Sequence, residues 1–537
     1  MAAILDRHGA LVSLDPSTGE PIGSVNCSGP DGVDRAVATA DSVQSMWRGT
    51  SLSERSAALH RLADRLEAQA EDVARLIARE QGKPAVEALT LEVLPALDHL
   101  RYLAVHAERL TTNLGIDPPH PLWAHKRSHC LHDPIGVVAL FTPSSLPFAL
   151  PLIQIGAALI VGNGVVLKPS ELTPFCAERI VALLAEAGFP HGLVSMVHAA
   201  GDESLFLAAH PGVGKIFFTG SRDTARLVVA GAGWSPRPIV LSLGGKHPAV
   251  VAADADLDRA ARGIVWGAFA NAGQNCGAVE RVYVERSIAA RFVDRIASET
   301  DRIRMGAGLS ADVELGPLVS DARRREVHAQ VTEAIAAGAH RLRGGTLPDG
   351  PGFFYPATVL LDPPRDTRLM REETCGPVLP IVVVDNLEQG MLMANETEYA
   401  LTASGWTTSA ANAGRLMEGL EAGVVTINDV LYSFGEPASS WAGFKASGIG
   451  QTHGAAGLRE MARPKFVSHD AAPLSGPLLG FPYDRPAADM ARAIVRSLHG
   501  SSVLHRLRAL GSLVRSKRFR ARVSLRSFLP EWKRGNR

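Results

Sequence analysis

Cys276 closes the run Asn271-Ala272-Gly273-Gln274-Asn275-Cys276, and a cysteine thiolate is a ready nucleophile for a carbonyl carbon. A lone cysteine is also often just a small buried hydrophobe, so its company decides. Ser242, in Val240-Leu241-Ser242-Leu243-Gly244-Gly245-Lys246, offers a hydroxyl that can hydrogen-bond but, unassisted, is not deprotonated near neutrality. The stretch Lys215-Ile216-Phe217-Phe218-Thr219-Gly220-Ser221 reads as a buried strand ending in a tight turn, with a helix-like segment over 222–230. Gly220 and Ser221 would then aim backbone N–H groups and a helix dipole at an anion such as a dinucleotide pyrophosphate. The alternative is a glycine that serves only loop geometry. Gly162-Asn163-Gly164 is a weaker signal and lacks the third glycine of a dinucleotide fingerprint. Lys168 and Glu171, in Leu167-Lys168-Pro169-Ser170-Glu171, follow another apolar strand, where open α/β sheets bind ligands; the alternative is a pair of solvated charges at a helix start.

These residues need a scaffold, and the pattern supplies one. Helical periodicity runs through 51–80 and 95–110. From residue 134, short apolar runs (137–141, 165–167, 194–197, 215–218 and 239–241) alternate with helical stretches. That rhythm predicts a doubly wound, mostly parallel sheet covered on both faces. A second α/β region is expected from 244 to about 431, with strands near 281–284, 378–384 and 424–427.

The chain has 537 residues, 46% of them apolar and 20% charged, enough for at least two globular domains. Its zero net charge hides an asymmetry. Residues 491–537 hold 13 Lys plus Arg against one acid, Glu531. Five dispersed cysteines without a C-x-x-C argue against a disulfide framework or metal site and for reduced thiols in a cytoplasmic setting. The N-terminus has no basic segment followed by an apolar core, so no export signal is read there. Residues 134–167 carry no charge and are long enough for a membrane span. Pro143, Pro147, Pro151 and polar side chains that include Ser144, Ser145, Gln154 and Asn163 punctuate them, however. A strand, a loop, a buried helix and a second strand account for them better.

Taken in order, Cys276 and Ser242 in their loops, Leu167–Glu171, Phe218-Thr219-Gly220-Ser221, Glu372-Glu373-Thr374-Cys375-Gly376-Pro377 and Gly443-Phe444-Lys445-Ala446-Ser447-Gly448 resemble the aldehyde dehydrogenase superfamily over most of the chain. The resemblance implies an aldehyde dehydrogenase-like α/β fold. Its parts would be an NAD-binding domain (1–122 and 134–242), a catalytic domain (243–432), small β oligomerisation strands (123–133 and 455–470) and a basic tail (471–537). It implies Cys276 as nucleophile toward a small aldehyde, Lys168 and Glu171 on the adenosine ribose of NAD, Glu373 on the nicotinamide ribose, and a homodimer or tetramer. A carboxylate at Glu171 would repel a 2′-phosphate and so favour NAD.

The resemblance also exposes departures. Ser145, in Pro143-Ser144-Ser145-Leu146-Pro147, stands where the family's oxyanion-binding asparagine is expected, and Ser242 where its water-activating glutamate is. Thr452, in Gly450-Gln451-Thr452, replaces a further acid, and Cys375 a phenylalanine. His247 and His453 are the nearest substitute bases in sequence; the alternative is two structural histidines. Three readings stay open: hydrolytic oxidation of an apolar aldehyde, acyl transfer to coenzyme A, or a non-catalytic binding subunit. In the tail, Val503, Leu507, Leu510 and Val514 at helical spacing among arginines suit an anionic membrane surface, with docking on the acidic body or disorder as the alternative. Nucleic acid is not expected, since no reading module accompanies the charge.

Overall fold

The computed structural model describes residues 4–6, 9–111, 114–117, 123, 126–233, 237–470 and 480–522. Two compact units emerge: residues 1–111 with 134–462, and residues 112–133 with 463–537.

In the larger unit, five parallel strands lie in the order Ile239–Leu243, Val213–Gly220, Val137–Phe141, Gly164–Lys168 and Val194–Met196. The short Gly448–Ile449 adds antiparallel to Ile239–Leu243. Val137–Phe141 is buried throughout, as a strand covered on both faces must be. The uncharged stretch 134–167 forms this strand, a loop, the wholly buried helix Ala149–Val161 and the strand Gly164–Lys168. Among the described residues no helix is long and apolar enough to cross a membrane. The expected helix over 51–80 is two, Leu52–Ala68 and Ala70–Gln81, broken at Gln69. Ser51 and Glu54 form a capping box at its start, and Gly82 ends the second helix in the left-handed conformation.

A second sheet orders His340–Arg343, Thr358–Leu361, Val378–Val384, Arg281–Glu285, Pro248–Val251, Thr402–Trp406 and Val424–Ile427, parallel except at its first strand. Register brings the working ends of the first sheet level. Phe141 pairs with both Lys168 and Phe218, and Ser242 with Thr219 and Gly448.

In the smaller unit Leu114–Ile116, Lys126–Pro134 and Ala462–Asp470 form a three-stranded sheet. Residues 455–460, expected with its last strand, instead belong to the helix Gly454–Glu460 of the larger unit. Helices Arg485–His499 and Val503–Arg515 pack through Met490, Ala493, Ile494 and Leu513. Val503, Leu507, Leu510 and Val514 are left exposed. The expected tail segments 471–479 and 523–537 lie outside the described residues.

Candidate active site

Eight residues singled out in the sequence (Cys276, Ser145, Ser242, Lys168, Glu171, Gly220, Ser221 and Glu373) line one cleft of ≈ 250 Å³ at the carboxyl ends of the first sheet. On one side Lys168 ends its strand and bonds Glu171 at 3.2 Å. Ser221 caps the helix Arg222–Gly231 by accepting from the Thr224 N–H, so that helix turns its N-terminal amides toward the cleft. The cleft thus offers backbone amides and a lysine as donors and a carboxylate as acceptor.

On the other side the chain before Cys276 is held in a shape it would not choose. Asn271, Ala272 and Gly273 all have positive φ (55°, 53° and 68°), costing about 1–3 kcal/mol at each non-glycine residue. A Cβ on Gly273 would collide with the Gly376 carbonyl. Long-range bonds fix the turn. The Asn271 N–H donates to Glu87 (2.8 Å), and its side-chain amide donates to the carbonyls of Ser145 (2.9 Å) and Gln274 (2.7 Å).

Two buried Lys–Glu pairs support the cleft walls. Lys83 bonds Glu92 at 2.6 Å with both side chains fully buried, and its ammonium also donates to the Ser145 carbonyl at 3.0 Å. Glu92 accepts the N–H groups of Phe148 and Ala149 at the start of the buried helix. Across the cleft Lys246 bonds Glu280 at 2.7 Å and donates to the Thr374 hydroxyl, while Glu280 accepts the N–H groups of Thr374 and Cys375. Neither pair was evident in the sequence. Lys83, Lys246 and Glu280 lie in loops and only Glu92 in a helical segment, so no periodicity marks them.

The electrostatics follow from burial. Burial pushes the Cys276 thiol up to about 12; the Glu373 charge adds to this and Lys83 opposes it. Burial also lifts Glu373 to about 7, with Glu280 reinforcing, and its carboxylate rests where a Cβ on Gly244 would be. Cys375 lines the cleft too, and burial holds its thiol well above the ordinary range. Of the two histidines, His247 does not face Cys276: its Nδ1 lies 2.9 Å from the Ala278 carbonyl, and it lines a separate small cavity beside Pro248 and Gly277. His453 does share a pocket with Cys276 and Ser242. Among the described residues no cluster of three His, Cys, Asp or Glu side chains could hold a metal ion.

A nucleophile-bearing loop at the mouth of a nucleotide-type sheet has relatives of known structure. The profile described as "Aldehyde dehydrogenase family" matches residues 5–467. Phenylacetaldehyde dehydrogenase of Pseudomonas fluorescens is 36% identical over 450 residues, 83% of this chain and 89% of that one. The structure of PnpE in complex with nicotinamide adenine dinucleotide superposes with a TM-score of 0.84 at 32% identity, covering 89% of this chain and 97% of that one. An NADP dependent enzyme of E. coli gives 0.83 at 31%, covering 87% and 96%. Fold, cleft and sequence agree, and the chain belongs to the aldehyde dehydrogenase family.

Proposed function

We propose that this protein oxidises apolar aldehydes with NAD, through a thiohemiacetal and then a thioester on Cys276. One observation carries the reading: Cys276 lines the nucleotide-type cleft and packs against an apolar cluster that includes Leu150, Ile153, Phe434 and Trp441. Sγ attacks the carbonyl carbon of an aldehyde held in the cleft. The developing oxyanion is met by the Cys276 N–H and the Ser145 hydroxyl, whose backbone Lys83 and Asn271 hold in place. Bound NAD supplies the hydride acceptor. Lys168 and Glu171 would hold its adenosine ribose, Gly220 and Ser221 its pyrophosphate, and Glu373 its second ribose. The Glu171 carboxylate disfavours a 2′-phosphate. The aromatic aldehyde in the name of the Pseudomonas relative and the dinucleotide in the PnpE complex support the same choices.

Ser242 carries no carboxylate to activate water, so deacylation is the slow half. Mixing enzyme with NAD and a panel of aliphatic and aryl aldehydes, with and without coenzyme A, tests this. The expected result is an NADH burst of about one equivalent per site followed by a slow phase, with the slow phase accelerated in Ser242→Glu. Marked stimulation by coenzyme A would identify an acyl-transferring enzyme. The absence of NADH with every aldehyde would identify a binding subunit.

The smaller unit is read as the assembly and surface element. The strand Ala462–Asp470 is the outer strand of its sheet, which suits pairing into a homodimer or tetramer. The exposed Val503/Leu507/Leu510/Val514 stripe beside Arg506, Arg508 and Arg515 suits a cytoplasmic protein resting on anionic lipid. Full-length protein should cosediment with anionic vesicles more than with neutral ones, and less so as salt shortens the Debye length from about 10 Å at 0.1 M to about 3 Å at 1 M. Equal binding by a chain ending near Asp470 would remove the tail from this role.

A further inference from the structure

Ser242 and Cys276 face a second, enclosed pocket of ≈ 10 Å³ whose wall also includes Gln154 and His453. That volume matches about one water molecule. An apolar void of this size would stay dry, but this one is bordered by unsatisfied polar atoms. Gln154 and His453 are each 5% exposed, and the buried Gln154 Oε1 and His453 Nε2 have no hydrogen-bond partner in the protein. With the Ser242 hydroxyl they make up the two to four polar neighbours that a buried water requires.

One tautomer of His453 presents Nε2 as an acceptor. Its Nδ1 lies 2.9 Å from the Thr452 hydroxyl oxygen, and that hydroxyl lies 3.4 Å from the Trp441 carbonyl, to which it donates. In the tautomer that donates Nδ1–H to this oxygen, the lone pair stands on Nε2. The rings of His99 (4.6 Å) and Phe434 (5.1 Å) pack edge-on against His453, and Trp441 lies at 6.1 Å. His99, from the helix Leu94–Thr111, is the titratable neighbour; its ring nitrogen meets the Phe434 carbonyl. Burial holds His453 well below the ordinary histidine range; His99 adds to this and the Phe434 carbonyl opposes it, so the imidazole is neutral near pH 7.

We propose that His453 is the base that hydrolyses the Cys276 thioester, using one water held between His453, Gln154 and Ser242. The inference rests on the reading of Cys276 as acyl carrier. The water oxygen bonds to the acyl carbon as its proton passes to Nε2. The C–S bond then breaks with its electron pair going to Sγ, and the proton returns from Nε2 to the thiolate, leaving a thiol and a carboxylic acid.

p-Nitrophenyl acetate can acylate a thiol without any dinucleotide, so it isolates the step. The full chain should release a burst of about one equivalent of nitrophenolate per site, followed by a steady phase set by deacylation. In His453→Gln the burst should persist while the steady phase falls roughly 10²–10⁴-fold. Acetyl-Cys276 should accumulate in peptide mass spectra, and added imidazole should restore part of the rate. Gln154→Leu should slow the same phase without touching the burst, which keeps the test alive should the histidine variant fail to fold. A His453→Gln steady phase within roughly threefold of the parent, or burst and steady phase falling together, would overturn the proposal. A parent burst that survives in Cys276→Ala would instead refute the acyl-carrier reading itself.

Discussion

The two buried Lys–Glu pairs beneath the cleft are built alike and act in opposite senses. Each carboxylate gathers two consecutive backbone N–H groups, Phe148/Ala149 for Glu92 and Thr374/Cys375 for Glu280. Each lysine braces the loop beside it. Lys83 also reaches the cleft wall directly through the Ser145 carbonyl, and its positive charge lowers the Cys276 thiol against the effect of burial. On the other side it is the anion, Glu280, whose charge is felt, raising Glu373. The same unit therefore favours a thiolate on one wall and a protonated carboxyl on the other. Which end of an ion pair faces a site matters more to the chemistry there than the presence of the pair.

The largest effect tests whether these walls frame a reaction at all. Cys276→Ala should abolish aldehyde-dependent NADH formation while leaving the melting temperature close to the parent's. Activity surviving in that variant would make both loops mere packing. Next in size, Lys83→Met and Lys246→Met each strand a buried carboxylate and should lower stability by about 3–5 kcal/mol in urea unfolding. Only Lys83→Met should also raise the pH at which Cys276 is alkylated by iodoacetamide. Equal alkylation profiles in the two variants would erase the asymmetry.

The smallest effect concerns Glu373. Its folded pKa of about 7 lies above the ordinary carboxylate value, so its contribution to stability is complete below the unfolded pKa near 4.5 and is lost as pH rises through about 7. Glu280→Gln removes the charge reinforcing that shift. The fall in urea midpoint between roughly pH 4.5 and pH 7 should therefore be shallower in the variant than in the parent, and an unchanged slope would detach Glu280 from Glu373.

The sheet rhythm and the residues at strand ends were legible because both are local. Alternating apolar runs placed 137–141, 165–167 and 215–218 on strands, and Lys168, Gly220 and Ser242 fell at their ends for the same reason. What supports the Cys276 loop was not legible. Glu92 meets Phe148 across 56 residues and Lys83 meets Ser145 across 62, distances at which no periodicity or spacing carries information. Likewise, sequence proximity offered His247 and His453 equally as bases; only packing turns one toward the Ala278 carbonyl and the other into the Cys276 pocket.

The left-handed turn at Asn271–Gly273 also sets an order of assembly. Nothing local favours it, and its bonds span 184 residues to Glu87 and 126 to Ser145. Contacts of such separation form late, after helices and neighbouring strands have condensed. Cys276 is therefore set in place only once both sheets have docked, so a refolding chain should recover its helical signal before Cys276 reaches its native surroundings.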